Sequence, residues 1–149
     1  DQLFACGGYG GAGRYLDSAE RLDLSPSSGG AWQPLPRLSA RRAGPNAAAG
    51  PDGRIFVLGG GPDGVDQHHT MEALDPRESC WQTDLAPLQV GRHYNAAAFG
   101  PDGYLYVAGA FRHTGQLDVV ERYDPRADAW EMLPKVGVPI MFSAGAFSF

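Results

Sequence analysis

The sequence predicts an all-β fold built from three repeats, each of four short strands. Tryptophan recurs at a constant interval of 49 residues, at Trp32, Trp81 and Trp130. An acidic segment recurs upstream of each tryptophan: ERLD at 20–23, EALD at 72–75 and ERYD at 121–124. Pairs of small residues recur at 7–8, 59–60 and 109–110. Several markers with one period indicate a repeat architecture, in which each copy buries its apolar faces against its neighbours.

Each repeat divides into strands in a fixed order. An alanine-rich inner strand is followed by the tight turn GPDG and by an apolar strand of β-forming residues. A glycine-rich loop then leads to the acidic third strand, and the fourth strand contains the tryptophan. In the middle repeat we expect strands near 47–50, 55–59, 71–75 and 80–83. No segment shows a helical period, so no helix is predicted.

Composition supports this fold and limits the functions to be considered. The chain has 21 glycines and 12 prolines, which favour turns between short strands. The net charge of −5 argues against binding to nucleic acid or to an anionic membrane surface. No apolar run is long enough for a membrane helix. The two cysteines, Cys6 and Cys80, form no disulfide framework or metal motif, and we expect a reducing, cytoplasmic location with Cys6 buried.

The glycine pair, the Glu-x-Tyr/Leu-Asp-Pro turn and the tryptophan followed by Leu-Pro together resemble the kelch motif. The resemblance covers residues 1–149 as one kelch-repeat region and implies blades of a β-propeller, each a four-stranded antiparallel sheet. The implied blade units are 3–42, 43–93 and 94–140, with 141–149 as a closing inner strand. Two departures stand out. Ala110 replaces the second glycine of the third pair, which should crowd that position, and a longer loop is expected at 23–32.

Three blades are fewer than the roughly 4–8 of a complete propeller. The chain is therefore expected to be a partial propeller, and two arrangements would complete it. Two copies could close a six-bladed ring as a homodimer, or further blades could belong to a longer parent chain. We favour the second arrangement, because the chain does not begin with methionine.

The resemblance also implies a partner-binding face. In kelch substrate receptors this face is built from three positions in each blade: the residue after the glycine pair, a small residue two before the glutamate, and an arginine before the inner strand. In this sequence those positions give the candidate set Tyr9, Phe111, Ser18, Thr70, Arg41, Arg42 and Arg92. Gly61 and Val119 lack the expected chemistry. The alternative is that the arginines pack against neighbouring blades, since arginine readily buries its stem.

The predicted function is a protein–protein interaction module, the substrate-receptor part of a larger protein such as a ubiquitin-ligase adaptor. Arginines at the propeller mouth suit a protein or acidic peptide partner, because the guanidinium fork binds carboxylates in a bidentate manner. Neither catalysis nor a cofactor is expected. The alternative is a kelch-fold enzyme or sugar-binding protein, galactose-oxidase-like or sialic-acid-isomerase-like, since one fold supports many functions.

No catalytic or metal-binding residues are assigned. His68 and His69 would point to opposite faces of a strand, which is poor geometry for one metal ion. Even with His93 and His113 included, no spacing in the sequence would bring two histidines and two tyrosines together in one metal site. The recurrence of Glu20, Glu72 and Glu121 in every repeat is typical of a structural role, with backbone or arginine as the partner. Arg21 and Arg122 are the nearest candidate partners. The glycine-rich run at 7–14 lacks the helix and Lys-Ser/Thr of a phosphate loop.

Overall fold

A computed structural model describes residues 1–62, 66–112 and 115–139. These residues form ten β-strands joined by turns and loops, and they contain no helix. The all-β prediction is therefore confirmed. The strands are β1 (Gln2–Cys6), β2 (Ala19–Asp23), β3 (Trp32–Pro34), β4 (Asn46–Ala49), β5 (Ile55–Leu58), β6 (Met71–Leu74), β7 (Ala96–Phe99), β8 (Leu105–Arg112), β9 (Gly115–Asp124) and β10 (Ala129–Leu133). No helix in the described ranges is long and apolar enough to cross a membrane.

The strands form three antiparallel sheets in which neighbours along the chain are neighbours in space. Their orders are β1-β2-β3, β4-β5-β6 and β7-β8-β9-β10, and we call them blades 1, 2 and 3. This arrangement is that of consecutive propeller blades. The closing inner strand that was predicted at 141–149 lies outside the described residues.

Blade 2 lacks the full fourth strand that the sequence predicted near 80–83. Only Gln82 pairs with the sheet, through one bridge to Ala73. The chain then leaves blade 2, and the Ala86 amide donates a hydrogen bond of 2.9 Å to Asp128 Oδ1 of blade 3. The segment after Gln82 is therefore bound to the next blade within four residues.

The long hairpin of blade 3 differs from the loops of the other two blades. β8 continues through the third small-residue pair, with a bulge between Ala108 and Ala110, and pairs with β9 as far as Arg112 and Gly115. The second glycines of the other pairs, Gly8 and Gly60, have positive φ angles of 105° and 78°, a region that alanine disfavours. With Ala110 in that position, the backbone extends as a strand instead of entering a loop.

Trp81 joins blade 2 to blade 1, and Trp130 joins blade 3 to blade 2. Trp81 Nε1 donates to Pro36 O at 2.8 Å, and Trp130 Nε1 donates to Ala86 O at 2.9 Å. Trp81 packs in a core cluster with Leu38 and the buried residues of blade 2, and Trp130 packs against the second cluster between blades 2 and 3. These two tryptophans therefore fill the gap between adjacent blades. Trp32 in blade 1 is 43% exposed.

The glycine pairs also contact the following blade. The Gly60 amide donates to Arg92 O at 2.8 Å, and the Gly8 amide donates to Arg42 O at 2.8 Å. A Cβ on Gly59, where φ is +64°, would lie 2.3 Å from Arg92 O. Glycine is therefore required at this close approach between blades.

Candidate functional site

The structure places the predicted arginines in two different environments. Arg42 and Arg92 are fully buried, whereas Arg41 is exposed. Neither guanidinium group has exposed surface through which it could contact a partner in the mouth, which counts against the partner-binding role predicted for Arg42 and Arg92. The alternative, that arginines pack within the propeller, holds for these two.

The guanidinium group of Arg42 binds residues of blade 2. Its Nε and Nη2 atoms donate to Glu72 Oε1 at 3.0 and 2.8 Å, and its Nη1 donates to Gly59 O at 2.7 Å. Nη2 also donates to the hydroxyl of Thr70 at 2.7 Å. Thr70, another predicted partner-binding residue, is exposed, but its hydroxyl already accepts this bond. The other carboxylate oxygen of Glu72, Oε2, accepts a hydrogen bond of 2.8 Å from the Ser39 amide.

Arg92 and Glu121 repeat this arrangement in blade 3. Arg92 Nη2 pairs with Glu121 Oε1, and both side chains have no exposed surface. Glu121 also accepts the amides of Gln89 and Val90, at 2.8 and 3.2 Å. The prediction that these glutamates pair with arginine or backbone is confirmed for Glu72 and Glu121. The suggested partners were wrong, since Arg21 binds Gln33 and Arg122 binds Glu131.

A cleft of about 370 Å³ brings together two of the predicted residues, Ser18 and Arg41. Its remaining walls are formed by Arg14, Tyr15, Leu16, Asp17 and Arg37. We call this site the arginine cleft. It lies between the β1–β2 loop of blade 1 and the segment that connects β3 to β4.

Backbone hydrogen bonds fix the two walls of the arginine cleft against each other. The Arg42 amide donates to Leu16 O at 3.0 Å, and the Leu38 amide donates to Asp17 O at 2.8 Å. The loop wall is further braced by Leu16 N, which donates to Gly8 O at 3.0 Å. The buried Arg42 thus positions its exposed neighbour Arg41 in the cleft.

The charges of the arginine cleft are unbalanced. Arg37 Nη1 pairs with Asp17 Oδ1 at 2.5 Å. None of the ion pairs of the described residues involves Arg14 or Arg41. Three guanidinium groups and one carboxylate leave two uncompensated positive charges, in a chain whose net charge is −5. Arginine forks of this kind bind anions through charge-assisted hydrogen bonds.

Of the other predicted residues, Tyr9 lies beside the cleft and Phe111 lies away from it. Tyr9 is 60% exposed, and its ring centroid lies 5.4 Å from that of Tyr15, which lines the cleft. Tyr9 Oη accepts the Gly13 amide at 2.9 Å, which holds the ring over its own loop. Phe111 instead pairs with His93 in blade 3, with ring centroids 5.5 Å apart. Phe111 therefore does not join the arginine cleft.

Sequence reasoning missed Arg14, Arg37 and Tyr15. The run at 7–14 lacks a phosphate-loop motif, and Arg14 and Arg37 lie outside the three positions that the kelch resemblance assigns to the partner-binding face. Their proximity follows from the hydrogen bonds between the β1–β2 loop and the β3–β4 segment. The nearest signal in the sequence was the concentration of arginines on both sides of blade 1.

The histidines do not converge. His68 Nε2 contacts Arg41 O at 3.2 Å, and His69 Nδ1 contacts Leu88 O at 3.1 Å. His93 is buried, and this burial lowers its pKa. His113 lies outside the described residues. In the parts of the chain that the structure describes, no three His, Cys, Asp or Glu side chains are placed to hold a metal ion.

The meandering sheets, the tryptophan joints and the repeated arginine–glutamate pairs define a protein of the β-propeller class. The kelch motif model matches residues 1–39 and 92–137. Together these ranges cover more than half of the chain, which belongs to the kelch-repeat family.

Comparisons with individual proteins agree with this assignment. The chain is 32% identical to Kelch-like protein 35 of Mus musculus over 141 residues, which cover 93% of this chain and 22% of that protein. It is 31% identical to Kelch-like protein 34 of Homo sapiens over 140 residues, which cover 89% of this chain and 20% of that protein. The chain thus spans only a minor part of these relatives.

Among solved structures, the fold is similar to that of a fungal alcohol oxidase of the AA5 family in complex with copper. The TM-score is 0.67 at 21% identity, and the match covers 83% of this chain and 28% of the oxidase. At this level of identity the similarity concerns the fold alone.

Proposed function

We propose that this chain is a protein-interaction module that binds an acidic segment of a partner protein in the arginine cleft. The observation that carries the proposal is the pair of arginines, Arg14 and Arg41, that have no counter-ion in a cleft whose walls are fixed by backbone hydrogen bonds. Guanidinium groups without a carboxylate partner are the groups that bind acidic side chains or a free C-terminus best.

Ser18 and Tyr15 complete the proposed site. Both residues line the same cleft, and a hydroxyl group can donate a hydrogen bond as well as accept one. The exposed ring of Tyr9 extends the site along the β1–β2 loop, where an aromatic face suits the apolar parts of a peptide. The partner is bound without chemical conversion, and binding needs no cofactor.

In the wider protein, this module serves as part of a substrate receptor, such as a ubiquitin-ligase adaptor. The similarity to Kelch-like proteins supports this role. A cytoplasmic location belongs to the same proposal. Cys6 and Cys80 are both free thiols, which suits a reducing compartment.

A titration with a glutamate-rich peptide tests the proposed site. Arg41→Ala should weaken binding about tenfold or more, because one charge-assisted hydrogen bond contributes about 1.5–3 kcal/mol. Arg77→Ala is the matched control, since Arg77 is an exposed arginine outside the cleft. Equal affinities of wild type, Arg41→Ala and Arg77→Ala would show that the peptide binds elsewhere and would refute the cleft as the site.

A further inference from the structure

We propose that the arginine cleft prefers a phosphorylated serine or threonine over an unmodified acidic residue of the partner. This inference rests on the proposed function, because it assigns a ligand class to the same cleft. It is carried by the charge of the cleft, by the number of its donors and by its fixed backbone.

The charge balance favours a dianion. Asp17 neutralises one of the three guanidinium groups, that of Arg37, and leaves the charges of Arg14 and Arg41 uncompensated. A phosphoserine carries a charge of about −1.5 to −2 at pH 7, whereas a glutamate side chain carries a single charge. A carboxylate would leave one of the two arginines without a counter-ion, and a phosphate would match both.

The donors of the cleft also fit a phosphate group. A phosphate presents three strong acceptor oxygens, and several arginine forks can approach them in a bidentate manner. Arg14 and Arg41 come from opposite walls, the β1–β2 loop and the β3–β4 segment, so they can approach one phosphate from two sides. Tyr15 and Ser18 also line the cleft, and a hydroxyl group can donate to a phosphate oxygen.

The backbone of the loop wall is already ordered around Arg14. The Arg14 amide donates to Gly11 O at 3.0 Å, and Arg14 O accepts the Gly10 amide at 2.8 Å. Contact between the rings of Tyr9 and Tyr15 braces the same loop. Binding therefore needs little further ordering of the backbone, which favours affinity.

Both walls of the cleft belong to residues 14–41, within blade 1 and its connection to blade 2. Two arginines outside the cleft, Arg77 and Arg122, carry their own acidic partners. Arg77 pairs with Asp75 at 2.6 Å, and Arg122 pairs with Glu131 at 2.7 Å. Among these sites, the arginine cleft is where positive charge is in excess.

The test uses three peptides of the form Gly-Ala-Gly-Xaa-Gly-Ala-Gly, in which Xaa is phosphoserine, glutamate or serine. Affinities are measured by titration, and the bound site is located by NMR shifts of the arginine side chains. The phosphoserine peptide should bind about tenfold tighter than the glutamate peptide, and the serine peptide should bind weakest.

Variants of the cleft separate charge from geometry. Arg14→Lys and Arg41→Lys keep the positive charge but lose the planar fork, so each should reduce the preference for phosphoserine over glutamate. Asp17→Asn removes the opposing carboxylate and should tighten binding of the phosphoserine peptide severalfold. Arg77→Lys should leave all affinities unchanged. Circular dichroism and thermal unfolding check that every variant folds like the wild type.

The outcomes distinguish this inference from the proposed function. If glutamate and phosphoserine peptides bind the cleft equally, the phosphate preference is wrong and the acidic-segment function stands. If none of the peptides shifts the cleft signals, both are wrong. If vesicles containing phosphatidylinositol phosphates co-sediment the protein while the phosphoserine peptide does not bind, the cleft recognises a lipid headgroup and the phosphopeptide inference is overturned.

Discussion

Arg42 and Glu72 form an ion pair that is closed to solvent. Two nitrogens of Arg42 donate to one carboxylate oxygen of Glu72, at 3.0 and 2.8 Å, and the side chains are 0% and 1% exposed. The pair ties the segment that enters the inner strand β4 to the third strand β6 of the same blade. Arg92 and Glu121 make the corresponding link in blade 3.

Removal of the arginine from this pair should be costly. Arg42→Met leaves the carboxylate of Glu72 buried without its counter-ion, and we expect the free energy of unfolding to fall by about 3–5 kcal/mol. The double variant Arg42→Met/Glu72→Leu also removes the unpaired carboxylate and should recover much of the lost free energy of unfolding. Urea unfolding measures both. Arg77→Met, at an exposed pair, is the control and should unfold like wild type. An Arg42→Met protein of wild-type stability would contradict the structural role of the pair.

The three tryptophans should contribute unequally to stability. Trp81 is 7% exposed and donates to Pro36 O of the preceding blade, whereas Trp32 is 43% exposed. Trp81→Ala should therefore destabilise the protein by about 3–5 kcal/mol. Trp32→Ala should have a much smaller effect in the same chemical unfolding assay. At the same acrylamide concentration, the fluorescence of Trp32 should be quenched more strongly than that of Trp81. Equal losses from both substitutions would argue against the inter-blade joint.

The two cysteines should differ in reactivity. Burial raises the pKa of the Cys6 thiol to about 11, so almost no thiolate is present at neutral pH. Cys80 is exposed. A thiol reagent added to the folded protein should label Cys80 rapidly and Cys6 slowly, and Cys80→Ser should abolish the rapid phase. Rapid labelling that survives in Cys80→Ser would show that Cys6 is accessible.

His93 should make the stability depend on pH. Burial lowers its pKa in the folded state, so the folded protein disfavours the protonated ring. The unfolded chain then binds more protons, and stability should fall as the pH drops below the unfolded value of about 6.5. In His93→Phe the part of this slope due to His93 should disappear, which urea unfolding at several pH values can show. An unchanged slope in His93→Phe would exclude His93 as the source.

Assembly gives a fifth prediction. Blade 1 exposes Leu3, Leu24 and Trp32, and Glu20 on β2 is exposed where its counterparts Glu72 and Glu121 are buried against arginine. Apolar surface of this kind promotes association. We expect the 149-residue chain either to associate with a second copy or to be of low stability. Light scattering of the dilute protein, combined with thermal unfolding, tests this. A stable monomer at every concentration would contradict it.

The sequence predicted the blades well because their markers are local and periodic. Trp81 and the glycine pair at 59–60 both contact an adjacent blade, as the packing of successive repeats predicts. The sequence did not show which of the adjacent arginines, Arg41 or Arg42, turns inward. That choice depends on Glu72, which lies 30 residues further along the chain.

The arginine cleft was only half predicted for a related reason. Ser18 has counterparts in Thr70 and Val119, and Arg37 has a basic counterpart in Lys135, which pairs with Asp118 as Arg37 pairs with Asp17. Arg14 and Arg41 have no such counterparts and carry no periodic signal. The hydrogen bond from the Leu38 amide to Asp17 O brings the two walls together, and the same bond recurs from Leu88 to His69 and from Val136 to Asp118. The repeat therefore predicts the joint between the walls, but it does not predict the unrepeated arginines beside it.

The tryptophan joints bear on how such a protein can gain or lose blades. Donor and acceptor are 45 residues apart in one joint and 44 in the next, slightly less than the 49 residues between successive tryptophans. A gene duplication that copies one repeat therefore carries a new indole and a new carbonyl together. The added blade can dock at once, and it presents a fresh acceptor to its own successor. Insertions within the surface loops leave this joint intact, because the strands on either side of the loop still hold Trp81 against Pro36.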